Sequence, residues 1–170
     1  YPELREPHFA AALFSALPGP DVTLTMAGGG WERFAAEAAQ LADKMGARFV
    51  RPGMLSPADA DALENSADVL VSLGNAYDNQ MPSKLFGYFA TGKPVLHLAV
   101  SESDPTLPYL ARYPLALVLH AGEGVTPGVV AKLDKWLHDV KGKHLPFAEV
   151  AKLYPEFTPE KVAEAFLRGM

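Results

Sequence analysis

Hydrophobic and polar positions alternate along this chain with two different periods. Short apolar runs rich in β-branched residues are typical of buried strands, and the segments between them show the spacing of amphipathic helices. The strand-like runs cover residues 22–26, the neighbours of Phe49, and residues 69–73, 95–100 and 116–119. This order predicts an α/β fold, with a Rossmann-like parallel sheet of five to six strands and helices on both faces.

The helical segments carry clear start signals. Ser56-Pro57, Thr126-Pro127 and Thr158-Pro159 each place a capping hydroxyl before a proline in the first turn. Glycine and proline turns separate the elements, and no stretch has the composition of a linker. A chain of 170 residues, 49% of them hydrophobic, fills one core, so we expect a single domain over residues 1–170. The predicted helices cover residues 7–17, 31–45, 56–66, 83–91, 105–113, 127–141 and 158–168, with a shorter turn at 147–153.

Composition argues against several classes of function. A formal charge of -5 provides no basic face for a phosphate polymer, so we expect no nucleic-acid partner. The absence of cysteine removes disulfide frameworks, thiol nucleophiles and cysteine-based zinc sites, and it fits a reducing compartment. No apolar run approaches the roughly 20 residues that cross a bilayer, so no transmembrane segment is predicted. We therefore expect a soluble, cytoplasmic domain.

The histidines and the carboxylates at 59–68 indicate structural roles rather than a catalytic or metal site. His97 and His120 lie in or at the ends of apolar strands, where a hydrogen-bonded core imidazole is the expected state. The histidines lack the spacing of metal ligands, so no metal site is predicted. The carboxylates at 59–68 fall on a helix with a solvated face. No Ser, His and Asp arrangement that would support a hydrolase is visible, and Gly74 does not complete a G-x-S-x-G elbow.

The segment 78–95 carries the strongest chemical signal. It reads as a polar loop, a short helix opened by Pro82-Ser83-Lys84 and ended by Gly92-Lys93-Pro94, and then a buried strand. This order brings a hydroxyl, an ammonium and free backbone N–H groups to one helix N-terminus. Such a terminus attracts phosphate, because the helix dipole and the N–H groups both favour an anion.

A glycine run follows the first strand-like segment. Gly28-Gly29-Gly30 would let the backbone approach a ligand closely at the carboxyl end of that strand. The run lacks the G-x-G-x-x-G spacing and the acidic residue of a dinucleotide fingerprint, so a nicotinamide or flavin site is rejected. A tight turn explains the same residues without any ligand.

The residues 82–88, Pro-Ser-Lys-Leu-Phe-Gly-Tyr, and 90–95, Ala-Thr-Gly-Lys-Pro-Val, resemble the signature of retaining glycosyltransferases of the GT-B architecture, family 4. The resemblance implies the C-terminal domain of such an enzyme, which binds the nucleotide-sugar donor, such as a UDP-sugar, in carbohydrate biosynthesis. It also implies that a first strand and an acceptor-binding domain lie upstream in the parent protein. Enzymes of this kind commonly work without a divalent metal, so no cofactor is expected.

The resemblance further implies which residues contact the donor. Arg5 and Lys84 would contact the diphosphate, and main-chain groups of Gly53 and Met54 would face the base. An isolated domain of this kind would bind a UDP- or GDP-type nucleotide weakly and transfer nothing. The full set of implied donor-binding residues is Arg5, Gly28, Gly29, Gly53, Met54, Pro82, Ser83 and Lys84.

Two positions depart from the family pattern. Gly87 stands where the family usually carries a glutamate that holds the donor ribose, and Asn79 stands where many relatives carry a second acidic residue. These two positions favour the first of three alternatives that stay open. They are a degenerate, non-catalytic domain that serves as an interaction module, a nucleotide-sugar 2-epimerase of the same architecture, and a free-standing flavodoxin-like domain.

Overall fold

The computed structural model describes residues 7–19, 21–75, 80–158, 161 and 167. Within them, helices and strands alternate as the hydrophobic pattern predicts. The helices are α1 (His8–Ala16), α2 (Ala35–Met45), α3 (Pro57–Ser66), α4 (Lys84–Ala90), α5 (Leu107–Leu110), α6 (Pro127–Val140) and α7 (Phe147–Leu153). The strands are β1 (Leu24–Ala27), β2 (Phe49–Gly53), β3 (Leu70–Leu73), β4 (Val95–Ala99) and β5 (Ala116–His120).

The strands form two parallel sheets. One sheet pairs β1 with β2, and the other has the order β3-β4-β5. All five predicted strands are present, and the α/β class with parallel pairing is confirmed. A continuous sheet of five to six strands is not formed within the described residues, because β1 and β3 do not pair with each other.

Helices cover the strands from both sides, and β4 shows this most clearly. Leu96 and Leu98 pack in a core cluster that also contains buried residues of α1, α2 and α6. Val95 belongs to a second cluster, built with α4, α5 and α7. Every residue of β4 is buried, as expected for a central parallel strand covered on both faces.

The predicted helix caps at Ser56 and Thr126 are present. The Ser56 hydroxyl accepts the Asp59 amide at 3.2 Å, and the Thr126 hydroxyl accepts the Val129 amide at 3.3 Å. At the third predicted start, the Thr158 hydroxyl donates to the Pro155 carbonyl at 3.0 Å, whereas Pro159 and most of the helix predicted at 158–168 lie outside the described residues.

Two predicted helices have different bounds. The segment predicted at 31–45 opens with a 3₁₀ turn over Trp31–Phe34 before α2 begins. The segment predicted at 105–113 contains only the single turn of α5, which begins after a turn in which the side chain of Asp104 accepts the Thr106 amide at 2.9 Å.

Lys93 anchors α3 to the turn before β4. Its ammonium donates to the carbonyl oxygens of Glu64, Asn65 and Ala67 at 3.1, 2.6 and 2.6 Å. A cation at this position satisfies terminal carbonyls and complements the negative end of the helix dipole. In this chain the Gly-Lys-Pro segment therefore has a structural role in addition to ending α4.

None of the helices in the described part of the chain combines the length and the apolar character that a membrane span requires.

Candidate functional site

The glycine residues predicted near a ligand meet at the ends of β1 and β2. The Gly28 amide donates to the Gly53 carbonyl at 2.8 Å. A Cβ built on Gly29 would lie 3.3 Å from the sulfur of Met54. Gly28 has a φ of 123°, which favours glycine, so this turn depends on the missing side chain. The four predicted residues thus form one continuous surface at the carboxyl end of this sheet.

A cavity of about 790 Å³ lies between the two sheets, and we call it the inter-sheet cavity. Its walls come from β1 and β3, from α1 and α6, and from α3 and α4. Gly28, Met54, Glu64 and Lys84 all line it. Three predicted site residues from separate parts of the chain are therefore brought to one cavity. Its volume falls within the range of small-molecule sites, about 300–1,000 Å³.

Lys84 is engaged by a carboxylate in this structure. Its ammonium lies 2.9 Å from Oε1 of Glu64, and the hydrogen bond to Glu64 raises the pKa of Lys84. Both side chains line the inter-sheet cavity. The ammonium remains charged and largely exposed. Because it is already paired with Glu64, an anionic ligand would have to displace that carboxylate in order to bind Lys84.

The N-terminus of α4 differs in detail from the prediction. The helix begins at Lys84, and the exposed Ser83 side chain makes no capping hydrogen bond. The Leu85 amide donates to the carbonyl of buried Pro82 at 3.2 Å, so one N–H of the first turn is satisfied internally. The Ser83 hydroxyl therefore does not cap α4, and a tight turn from Pro82 opens the helix.

Packing does not explain the glycine at position 87. Gly87 is exposed, and apart from its chain neighbours and the backbone of its own helix no atom lies within 4 Å of the position that its Cβ would occupy. A Cβ would therefore fit here, so the fold does not require a glycine at the position where the glycosyltransferases that this segment resembles usually carry a glutamate. Arg5 and Asn79, the other residues that bear on donor binding, lie outside the described residues.

A buried polar network is a feature that the sequence interpretation missed. His97 Nδ1 lies 3.1 Å from the Ser72 hydroxyl, and its Nε2 lies 3.0 Å from Oδ2 of Asp104. The Thr106 hydroxyl donates to Oδ1 of Asp104 at 2.6 Å. The network brings Ser, His and Asp side chains together, but it does not contradict the prediction, which concerned an arrangement that would support a hydrolase. The prediction of a hydrogen-bonded core imidazole at His97 is confirmed.

This Ser-His-Asp network is structural. His97 and Thr106 are 0% exposed and Asp104 is 4% exposed, so no substrate reaches the imidazole. The signal that could have revealed it is the register, because Ser72 and His97 lie opposite each other in β3 and β4. Asp104 comes from the loop after β4 and could not have been assigned from the strand pattern.

Burial sets the charge state of this network. Burial lowers the pKa of His97, although Asp104 opposes that shift. Burial acts to raise the pKa of Asp104, but the hydroxyl and amide of Thr106, together with His97, outweigh it and lower the pKa. Near neutral pH a neutral imidazole therefore donates from Nε2 to a carboxylate and accepts the Ser72 hydroxyl at Nδ1.

The lowered pKa of His97 predicts a loss of stability on mild acidification. Below the ordinary histidine value of about 6.5, the unfolded chain takes up a proton that the folded chain excludes, so stability falls as pH decreases from there towards the folded pKa. One proton corresponds to a slope of at most about 1.4 kcal/mol per pH unit. Urea unfolding at a series of pH values from 7 to 5 measures how the free energy of unfolding depends on pH. The His97→Gln variant should lack the part of this dependence that His97 contributes. An unchanged slope in the variant would disprove the assignment.

No group of three or more His, Cys, Asp or Glu side chains in the described part of the chain is placed to hold a metal ion. The charged groups that reach the inter-sheet cavity include an ammonium and a carboxylate on neighbouring helices. Comparisons with protein-family models, with curated proteins and with solved structures each found no match to this chain.

Proposed function

We propose that this domain binds a nucleotide diphosphate sugar and forms the donor half of a GT-B glycosyltransferase of family 4. The observation that supports it is the convergence of Gly28, Met54 and Lys84 on one cavity. Each follows a different parallel strand, and α/β folds commonly bind ligands outside the carboxyl ends of such strands. The proposal includes a Rossmann-like sheet and a cytoplasmic location.

In this proposal Lys84 and the glycines at 28–29 have different roles. The Lys84 ammonium would exchange Glu64 for a phosphate oxygen and offset the negative charge that develops on the departing nucleotide. The backbone at Gly28 and Gly29 would approach the donor without a side chain in the way. The acceptor, and groups that act on it, would belong to the acceptor-binding domain.

Replacing Lys84 by alanine is expected to weaken nucleotide binding at least tenfold, because a hydrogen bond to a charged group contributes about 1.5–3 kcal/mol. Calorimetry with UDP, GDP and uridine measures the effect, and uridine, which has no phosphate, should not respond to the substitution. Lys152→Ala is the matched control, since Lys152 is exposed, lies 2.8 Å from Glu149 and does not line the cavity. Tight UDP binding that is equal in both variants would contradict the assigned site.

The pairing of Lys84 with Glu64 favours a second candidate, a degenerate donor domain that serves as an interaction module. Glu64 pairs with the ammonium that a phosphate would contact in a donor domain, and Gly87 lacks a carboxylate. Both features are expected of a domain that has lost its ligand. The Glu64→Gln variant separates the two candidates, because removing the competing charge should strengthen nucleotide binding in a donor domain. A degenerate domain should show no nucleotide-dependent rise in melting temperature in either form.

A further inference from the structure

The segment that joins α6 to α7 combines exposed cations with an exposed aromatic ring. Residues 141–147 read Lys-Gly-Lys-His-Leu-Pro-Phe, and we call them the cationic loop. All of them except Leu145 are exposed. Phe147 is 67% exposed, more than any other aromatic side chain in the part of the chain that the structure describes. A single exposed apolar side chain is ordinary, but a phenylalanine beside two lysines is a combination by which interfacial segments bind anionic lipids.

The two lysines of this loop are not matched by acidic side chains. Neither Lys141 nor Lys143 forms an ion pair with any of the described residues. The carboxylates on either side, Asp139 and Glu149, are each paired with another lysine. The chain as a whole carries a formal charge of -5. Because salt screens charges beyond about 10 Å at 0.1 M, an anionic surface that touches the loop interacts with these lysines more than with the net charge.

Hydrogen bonds hold the cationic loop in place. The Lys143 amide donates to the Val140 carbonyl at 2.9 Å, and the Leu145 amide donates to the Gly92 carbonyl at 2.8 Å. The Leu145 side chain packs against the second core cluster, and Phe147 begins α7. Because the backbone is already ordered, binding through this loop costs little conformational entropy.

The loop lies at the edge of the sheet opposite to the predicted phosphate site. Gly92, which the loop contacts, precedes the amino end of β4, whereas Ser83 follows the carboxyl end of β3. Because β3 and β4 are parallel, these two positions lie at opposite edges of the sheet. A surface bound by the loop therefore leaves Ser83 accessible.

The size and charge of this surface fit a lipid bilayer better than a folded protein. A specific protein partner buries about 800 Å² on each side, around an apolar core. Phe147 is the only exposed large apolar side chain of the cationic loop, and one ring does not form such a core. A bilayer requires only that the ring reach the boundary of the head groups and that the lysines face anionic lipids.

We propose that the cationic loop is a docking surface for the anionic face of a lipid bilayer, with the Phe147 ring at the head-group boundary and Lys141 and Lys143 facing the lipid phosphates. One ring and two lysines give weak, reversible binding that depends on salt. The proposal does not depend on nucleotide binding, because Lys143 and Phe147 do not line the inter-sheet cavity.

Flotation of the full chain with lipid vesicles measures the docking. Vesicles of equimolar phosphatidylcholine and phosphatidylglycerol should bind the protein at low salt, and vesicles of phosphatidylcholine alone should not. Lys143→Glu should weaken binding about tenfold or more, since each lysine near an anionic membrane contributes about fivefold and the glutamate adds repulsion. Lys141 stays unchanged, because it also lines the inter-sheet cavity. Lys44→Glu is the matched control, since it changes the net charge equally at an exposed position on α2.

Two variants at position 147 test the aromatic ring. Phe147→Ser should weaken binding about tenfold, because no apolar ring then leaves water on docking. Phe147→Trp should still bind, and its tryptophan emission should shift to shorter wavelengths when the mixed vesicles are added. The unmodified protein, which contains Trp31 and Trp136, provides the reference emission. This second variant keeps the ring, so it tests the contact even if the serine variant folds poorly.

Four results would overturn the proposal. They are no binding to the mixed vesicles, equal binding to both kinds of vesicle, equal weakening by Lys44→Glu and Lys143→Glu, and an unshifted emission of the Phe147→Trp protein. Soluble polyglutamate that binds as tightly as the vesicles do would overturn it as well, by assigning the surface to an acidic protein.

Discussion

Replacing Asp104 by alanine is expected to lower the free energy of unfolding by about 3–5 kcal/mol, the range found when one partner of a buried charged network is removed. The Asp104 carboxylate accepts the Thr106 hydroxyl and amide at 2.6 and 2.9 Å, and it lies 3.0 Å from Nε2 of His97. Alanine would leave these donors buried without a partner, and each such group costs about 1–3 kcal/mol. The loss cannot be repaired by water, because the network is sealed from solvent.

Urea unfolding measures this effect, and Asp139→Ala is its control. Asp139 is an exposed carboxylate on α6 that pairs with Lys135 four residues earlier, so its removal should cost less than about 0.5 kcal/mol. The Asp104→Asn variant should fall between the two, since its amide oxygen can still accept from Thr106. Equal stability of the Asp104→Ala and Asp139→Ala proteins would show that the network does not hold β4 to the loop that follows it.

The positions of the helices and strands, and the edge at which parallel strands end, are the parts of the fold that the sequence predicts. Helix and strand positions follow from local periodicity, so every predicted strand was found within a few residues of its place. The meeting of Gly28 with Gly53 follows from the rule that parallel strands end at the same edge of a sheet. Neither inference needs knowledge of side-chain directions.

What could not be predicted depends on contacts between distant side chains. Lys84 and Glu64 lie 20 positions apart on different helices, and only the packing of α3 beside α4 brings them within 2.9 Å. The absence of pairing between β1 and β3 also could not be predicted from the sequence. The order of strands and helices along the chain is the same whether they form one continuous sheet or two separate sheets. The sequence therefore contained no indication that a carboxylate pairs with Lys84 at the candidate site.

Replacing Gly92 by alanine is expected to destabilise the protein by about 3 kcal/mol or more. Gly92 has a φ of 73°, a conformation that costs an ordinary residue about 1–2 kcal/mol. The added Cβ would also collide with the carbonyl oxygen of Leu145 and lie 2.9 Å from Cε1 of His144. The Leu145 amide donates to the Gly92 carbonyl at 2.8 Å, so the two backbones are already held together and cannot separate freely.

Gly87→Ala provides a matched control within the same helix and its turn. Its Cβ would enter open space at a helix-interior position, so alanine should raise the free energy of unfolding by about 0.5–1 kcal/mol. The two glycines therefore predict effects of opposite sign, which urea unfolding of both variants resolves. If Gly92→Ala were tolerated, the loop 141–146 could not pack against this turn as described. If Gly92→Ala is not tolerated, the fold itself requires a glycine at position 92. Its presence in the segment 90–95 that resembles the glycosyltransferase signature then says less about a ligand than Ser83 and Lys84 do.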